Sequence, residues 1–305
     1  MKKISLVVYL ILIINTISSQ EINYIPYYQA INKANLSRCR QNYDSALIYY
    51  GQAFQIVDYI LMDDLRNFAK CATIEKKDSL IYFAMEQCIK QIVPLNYIFE
   101  SDTIFEQYQQ TDKWQYYMEQ EKKNIEMYHE KYSCPYKKVM DSLRIEDQKI
   151  RTLAWRLTKK RRQKASEIEY SNRRAIDELI AKYDYPNERN GLFNQSCLWA
   201  PMIVIFHYHD TVFFQNTEYK AYIEGKLTPY CFSKKAQRVV VFNNLPFPRY
   251  RYEYSPNMTE EEKAQVDKNR YEIGLPSIEE ERIINQCNDM EYQKIQEALK
   301  QQRKK

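Results

Sequence analysis

Glycine is scarce in this chain: four residues in 305, at Gly51, Gly191, Gly225 and Gly274. Sheet-rich folds use glycine at turns and bulges, and dinucleotide or phosphate loops need it where backbone meets a phosphate. Four isolated glycines exclude a Gly-rich nucleotide loop and argue for helices joined by short connections. The seven cysteines (Cys39, Cys71, Cys88, Cys134, Cys197, Cys231 and Cys287) contain no CxxC pair, which excludes a zinc ribbon or a dithiol redox motif. Their odd number leaves at least one thiol unpaired in a monomer, and most read as small buried hydrophobes. No GxSxG nucleophile motif is present. A dominant charge is also missing, with 45 basic residues against 40 acidic ones. The one dense basic run, Lys159 to Lys164, lacks interleaved aromatics and reads as the solvated face of a helix. Nucleic acid is therefore not an expected partner.

What is present begins with an address. Lys2 and Lys3 precede an apolar stretch from Ile4 to Ile14 broken only by Ser5, and small residues follow at Thr16, Ser18 and Ser19. That core is shorter than the ~20 residues of a spanning helix and has the layout of a signal peptide over residues 1–19. No later segment is apolar enough to span a bilayer, so no stable membrane span is expected after cleavage. The expected location is exported: periplasmic, envelope-associated or secreted. The seven cysteines would then meet a disulfide-permitting compartment.

Residues 22–132 carry an internal repeat. Asp44-Ser45 and Asp78-Ser79 lie 34 residues apart, and a further 34 residues reaches Asp112. Each Asp precedes an apolar helical stretch, where its carboxylate can cap the first turn. Further helices are expected at roughly 25–40, 59–73 and 96–110. Tyr43, Ala46, Tyr50 and Ala53 alternate aromatic and small residues at the spacing that lets paired helices approach closely. On these residues the region resembles divergent tetratricopeptide repeats, helix–turn–helix units of ~34 residues. The resemblance implies helical hairpins that bind a protein or peptide partner, here through a Tyr-rich concave face.

Residues 137–290 form the expected second domain, followed by a basic helical tail at 291–305. "YDYPNERNG" (Tyr183 to Gly191) is a loop punctuated by Pro and Gly. Val239 to Phe242 is a β-type run, Asn243-Asn244 a turn signal, and "RYRYEY" alternates, which predicts a small β-hairpin. Thr259 with Glu262 and Ser277 with Glu280 are capping boxes, and Gly274 with Pro276 ends the helix between them. The expected fold is thus mostly α, with helical hairpins followed by a helical domain bearing that hairpin.

Within it, Asp147, Gln148 and Arg151, then Asn172, Tyr183, Tyr185 and Pro186, follow an ordered pattern. Trp199, "HYHD" (His207 to Asp210), Phe214-Gln215 and Glu224-Gly225 continue it, and Val266, Asp267, Arg270, Gly274 and Leu275 close it. Over residues 141–282 the chain resembles an uncharacterised bacterial helical domain family. The resemblance implies an α-helical domain and brings no reaction with it. Gln237-Arg238 stands where that family has Asp-Arg, and a Gln-x-Tyr-Gly-Thr-Gln stretch is missing.

The candidate site is drawn from His207, His209, Asp210, Asp147, Arg151 and Arg270. On a strand, His207 and His209 would share a ligand. On a helix they stand about 200° apart and would not. The preceding apolar run reads as helix, so no metal or cofactor is expected. In the enzymatic reading His209, oriented by Asp210 or Asp147, moves a proton while Arg151 or Arg270 clamps an anion. In the structural reading Asp147–Arg151 and Asp267–Arg270, spaced i,i+4 and i,i+3, are ion pairs that orient helices. The sequence favours an interaction protein, with a hydrolase-like or metal-dependent enzyme as the alternative.

Overall fold

The computed structural model describes residues 23–99, 102–132, 158–190, 214–242 and 252–302, with five isolated positions between 139 and 146. Among the described residues there is no β-strand.

Four helices open the fold: α1 (Ile25–Cys39), α2 (Tyr43–Phe54), α3 (Met62–Ile74) and α4 (Asp78–Gln91). Short connections make each neighbour antiparallel to the last. The turns from α1 to α2 and from α3 to α4 use one backbone device. Gln41 and Lys76 stand in the left-handed region, at φ 60° and 54°. The next amide in each turn reaches back into its helix, Asn42 N to Ser37 O (2.9 Å) and Lys77 N to Ala72 O (2.8 Å). The helices after these turns start at Tyr43 and Asp78, one residue out of step with the Asp-Ser pairing.

The caps differ from expectation. Asn42 caps α2, its side chain accepting from Ser45 N at 3.3 Å, while Asp44 in the first turn pairs with Lys77. Asp78 in the first turn of α4 accepts from the Tyr108 hydroxyl at 2.9 Å. The carboxylates tie one unit to the next.

The third unit opens with a short helix α5 (Asn96–Phe99) and a 3-10 turn (Thr103–Tyr108), and closes with α6 (Asp112–Tyr132). Buried Glu121 of α6 accepts from Leu95 N, 2.9 Å from each oxygen. The free amide after Pro94 is thereby satisfied. Close helix contact rests on small residues: Ala34, Ala46, Ala53, Ala69, Ala72 and Ala84 are fully buried.

The second half supplies α7 (Lys159–Tyr183), a π turn (Phe214–Glu218) running into α8 (Tyr219–Ile223), α9 (Pro229–Phe242), α10 (Glu260–Glu272) and α11 (Ile278–Gln302). The expected strand at Val239–Phe242 is instead the last turn of α9, while residues 243–251 of the expected hairpin lie outside the described residues. The helix is already laid down over Pro229–Ala236, where Phe232 and Ala236 sit four residues apart in the core. A β-branched run at its end has a weaker preference than that context. Both capping boxes form: Thr259 and Glu262 bond reciprocally at 2.9 and 3.2 Å, Ser277 and Glu280 at 3.0 and 3.2 Å. Helix α11 runs unbroken across residues 290 and 291.

One continuous core joins the two halves, with Tyr24, Tyr27, Tyr28 and Tyr50 beside Leu179, Tyr222 and Phe232. The Tyr28 and Tyr222 rings stack at 6.4 Å. Tyr24, Tyr27, Tyr28 and Tyr50 are inside, in a core shared with the second half of the chain. Tyr27 donates to Asp64 and Tyr50 to Asn35 at 2.6 Å.

Candidate functional site

The halves meet where α1 begins. Tyr24 N donates to Ile223 O at 2.9 Å, and its hydroxyl donates to Tyr59 O at 2.7 Å. Arg189, in a 3-10 turn just beyond α7, donates to that hydroxyl and to Glu224 O at 3.2 Å. It also pairs with Asp58 at 3.3 Å. Its guanidinium lies 5.2 Å from the ring centres of both Tyr24 and Tyr59, within cation–π range. The preceding residue, Glu188, accepts from Met62 N at 3.0 Å and so satisfies a first-turn amide of α3. A two-residue segment of the "YDYPNERNG" loop thus bolts the second half to the first.

Two carboxyls here are desolvated. Burial pushes the Asp64 carboxyl up to about 7 against the opposing pull of the Tyr27 hydroxyl, and neighbouring Asp63 adds to the rise. Burial likewise takes Glu188 up to about 8, opposed by the Met62 amide and reinforced by Asp63 and Asp64.

Beside this junction lies a cleft of about 250 Å³ whose polar lining includes Asp184, Tyr185, Asn216, Lys220, Glu224 and Lys226. Its centre is Lys226, 2.7 Å from Asp184 and 2.6 Å from Glu224, with Lys220 3.7 Å from Glu224. Burial works against the Lys226 ammonium, but hydrogen bonds to Asp184 and Glu224 outweigh it and hold its pKa above the ordinary value. Tyr185 and Glu224, residues of the pattern in the second half, face this same cleft. The cleft's ammonium and carboxylate groups already compensate one another. That arrangement suits a structural ion-pair network better than an anion site.

Of the site residues expected from sequence, His207, His209, Asp210, Asp147 and Arg151 lie outside the described residues. Arg270 is described, and it is buried. It donates to Pro276 O and to Tyr252 O, both at 2.7 Å, and pairs with Glu281 at 2.9 Å. Its i−3 neighbour Asp267 turns elsewhere, accepting from Ile278 N at 3.0 Å and from the Tyr254 hydroxyl at 2.7 Å. The two side chains stitch the α10–α11 turn to residues 252–254 and do not pair with each other in these bonds. Among the described residues, no three His, Cys, Asp or Glu side chains are grouped to hold a metal, and no helix is long and apolar enough to cross a membrane.

Sequence reasoning missed Arg189, Glu188 and Asp64. The only signal was a charged pair inside a loop punctuated by Pro186 and Gly191. No protein-family model, curated protein or solved structure matches the chain.

Proposed function

We propose that this chain is an exported interaction scaffold whose N-terminal, tetratricopeptide-like helical hairpins hold a protein or peptide partner. The observation that supports this reading is the turn at Gln41 and Lys76, which recurs between the two helices of the first and of the second pair. Stacked helix pairs of this kind offer extended surfaces and little in the way of a chemical pocket. Because Tyr24, Tyr27, Tyr28 and Tyr50 are interior, the partner is assigned to the outer side of the array. Ile48 on α2 and Tyr116 on α6 are large apolar side chains, 61% and 57% exposed. They stand two repeat lengths apart on the closing helices of the first and third units.

The test uses the immobilised full chain and an envelope fraction. One partner is expected at reproducible stoichiometry, and a double variant Ile48→Asp/Tyr116→Asp with unchanged helix content is expected to lose it. Recovery of nothing, together with loss of a cellular phenotype in His209→Ala, would overturn the scaffold in favour of the enzyme centred on His207, His209, Asp210, Asp147 and Arg151.

A further inference from the structure

The C-terminal end of α1 is clamped to the middle of α11. Buried Arg38 bonds to the Glu291 carboxylate and donates to Asn288 Oδ1 at 2.6 Å, across 250 residues of sequence. Lys70 of α3 approaches the same carboxylate at 3.5 Å and pairs with Asp102 at 2.7 Å. Directly beside this clamp are two thiols. Cys39 is the next residue after Arg38, and Cys287 precedes Asn288, its Sγ 3.8 Å from Glu291 Oε1. The two thiols lie within hydrogen-bonding reach of each other. Both are free and partly exposed, whereas Cys71 and Cys88 are buried.

We infer that Cys39 and Cys287 are the two halves of a disulfide that staples α11 to α1 when the protein meets an oxidising environment. The Arg38–Glu291–Asn288 contacts hold the two helices at this crossing whether or not the thiols are joined. Neither helix then has to be recruited for the bond to form, and the geometric demands of a disulfide fall on side chains already adjacent. The oxidant is a small-molecule disulfide. One thiolate attacks one of its sulfurs and expels the other as a thiolate, giving a mixed disulfide. The second protein thiol then attacks the protein-bound sulfur and releases the remaining small thiol. Two cysteine thiols and one small disulfide become one protein disulfide and two small thiols, so atoms and electrons balance. Burial and the neighbouring Cys287 raise the Cys39 thiol above its ordinary value. The bond closes nearly the whole described chain into a loop, the case in which a cross-link restricts the unfolded ensemble most. The inference is independent of the scaffold reading, since it concerns how the halves are held and not what they bind.

The experiment incubates reduced full-length protein with glutathione disulfide, alkylates what remains, and digests without reductant. Expected are one cross-linked peptide pair carrying Cys39 and Cys287, loss of two free thiols, and a Tm higher by about 5–10 °C that dithiothreitol reverses. Cys287→Ser and Cys39→Ser should each lack the cross-linked pair and the shift, while Cys231→Ser keeps both. Separate glutathione adducts on Cys39 and Cys287, pairing of either with Cys134 or Cys197, or an unchanged Tm would overturn the inference. Should the serine variants not fold, the time course of oxidation in the natural protein decides. The two thiols must disappear together, and independent rates would overturn the inference.

Discussion

The Tyr24 ring lies against the backbone of Gly225. Gly225 turns the chain out of α8 at φ +74°, and a Cβ there would stand 2.5 Å from Tyr24 Cγ. Two costs coincide at this position. An L-residue pays for the left-handed conformation, and the added methyl must displace an aromatic ring fixed by Tyr59 and Arg189. Gly225→Ala is expected to lose about 2–4 kcal/mol in urea unfolding. A loss below ~1 kcal/mol would mean that Tyr24 can move aside.

The repeated turn makes an opposite prediction. Gln41 and Lys76 are non-glycine residues at φ 60° and 54°. Glycine relieves that strain, although it also loosens the unfolded chain. Gln41→Gly and Lys76→Gly should each stabilise the fold by about 0.5–1 kcal/mol, nearly additively because the turns are separate. Denaturant midpoints of the two single variants and the double variant measure it. A drop in either single variant would show that its side chain matters more than its backbone.

The spacing of Asp44, Asp78 and Asp112 made the first half legible, because helix initiation is a local event written in a few neighbouring residues. The capping boxes at Thr259 and Ser277 were legible for the same reason. Tyrosine burial was not. Tyr24 needs Tyr59 O and Arg189, and Tyr27 needs Asp64, to satisfy their hydroxyls inside a core. Those partners lie far off in sequence, so Tyr24 and Tyr27 look like surface until the fold brings them together with their partners. Val239 to Phe242 misled through intrinsic preference, which a helix begun at Pro229 overrides. At the candidate site, Arg270 was legible as a residue with a task. Its partners, two carbonyls and Glu281, depend on a turn geometry that spacing alone does not show.

The buried carboxyls give the molecule a pH profile. Asp64 rises to about 7 and Glu188 to about 8, both above their ordinary values near 4. The folded state therefore holds protons that the unfolded state has released. These groups favour folding fully below pH ~4, and that contribution falls as pH climbs through 7 and 8. Unfolding free energy should decline between about pH 5 and 8, by on the order of 2–4 kcal/mol from this pair. Asp64→Asn and Glu188→Gln keep acceptors for Tyr27 and Met62 N but cannot ionise, and they should flatten the decline. A profile that rises over this range in the natural protein and is unaltered in both variants would show that the two carboxyls are solvated.

Arg270 separates a structural from a catalytic task most directly. Its guanidinium satisfies the Tyr252 and Pro276 carbonyls and pairs with Glu281, holding residues 252–276 around the end of α10. Removing it leaves two inward acceptors and a carboxylate without their donor, which costs about 2–4 kcal/mol. Lysine cannot repair the loss, because one ammonium does not reproduce a planar fork aimed at three partners. Arg270→Ala and Arg270→Lys should both destabilise the fold and speed hydrogen exchange at the start of α11, where Asp267 also holds Ile278 N. If Arg270→Lys kept full stability and natural exchange rates, the stitching role would fail. The residue would then be free for the anion-clamping role assigned to it in the enzymatic reading.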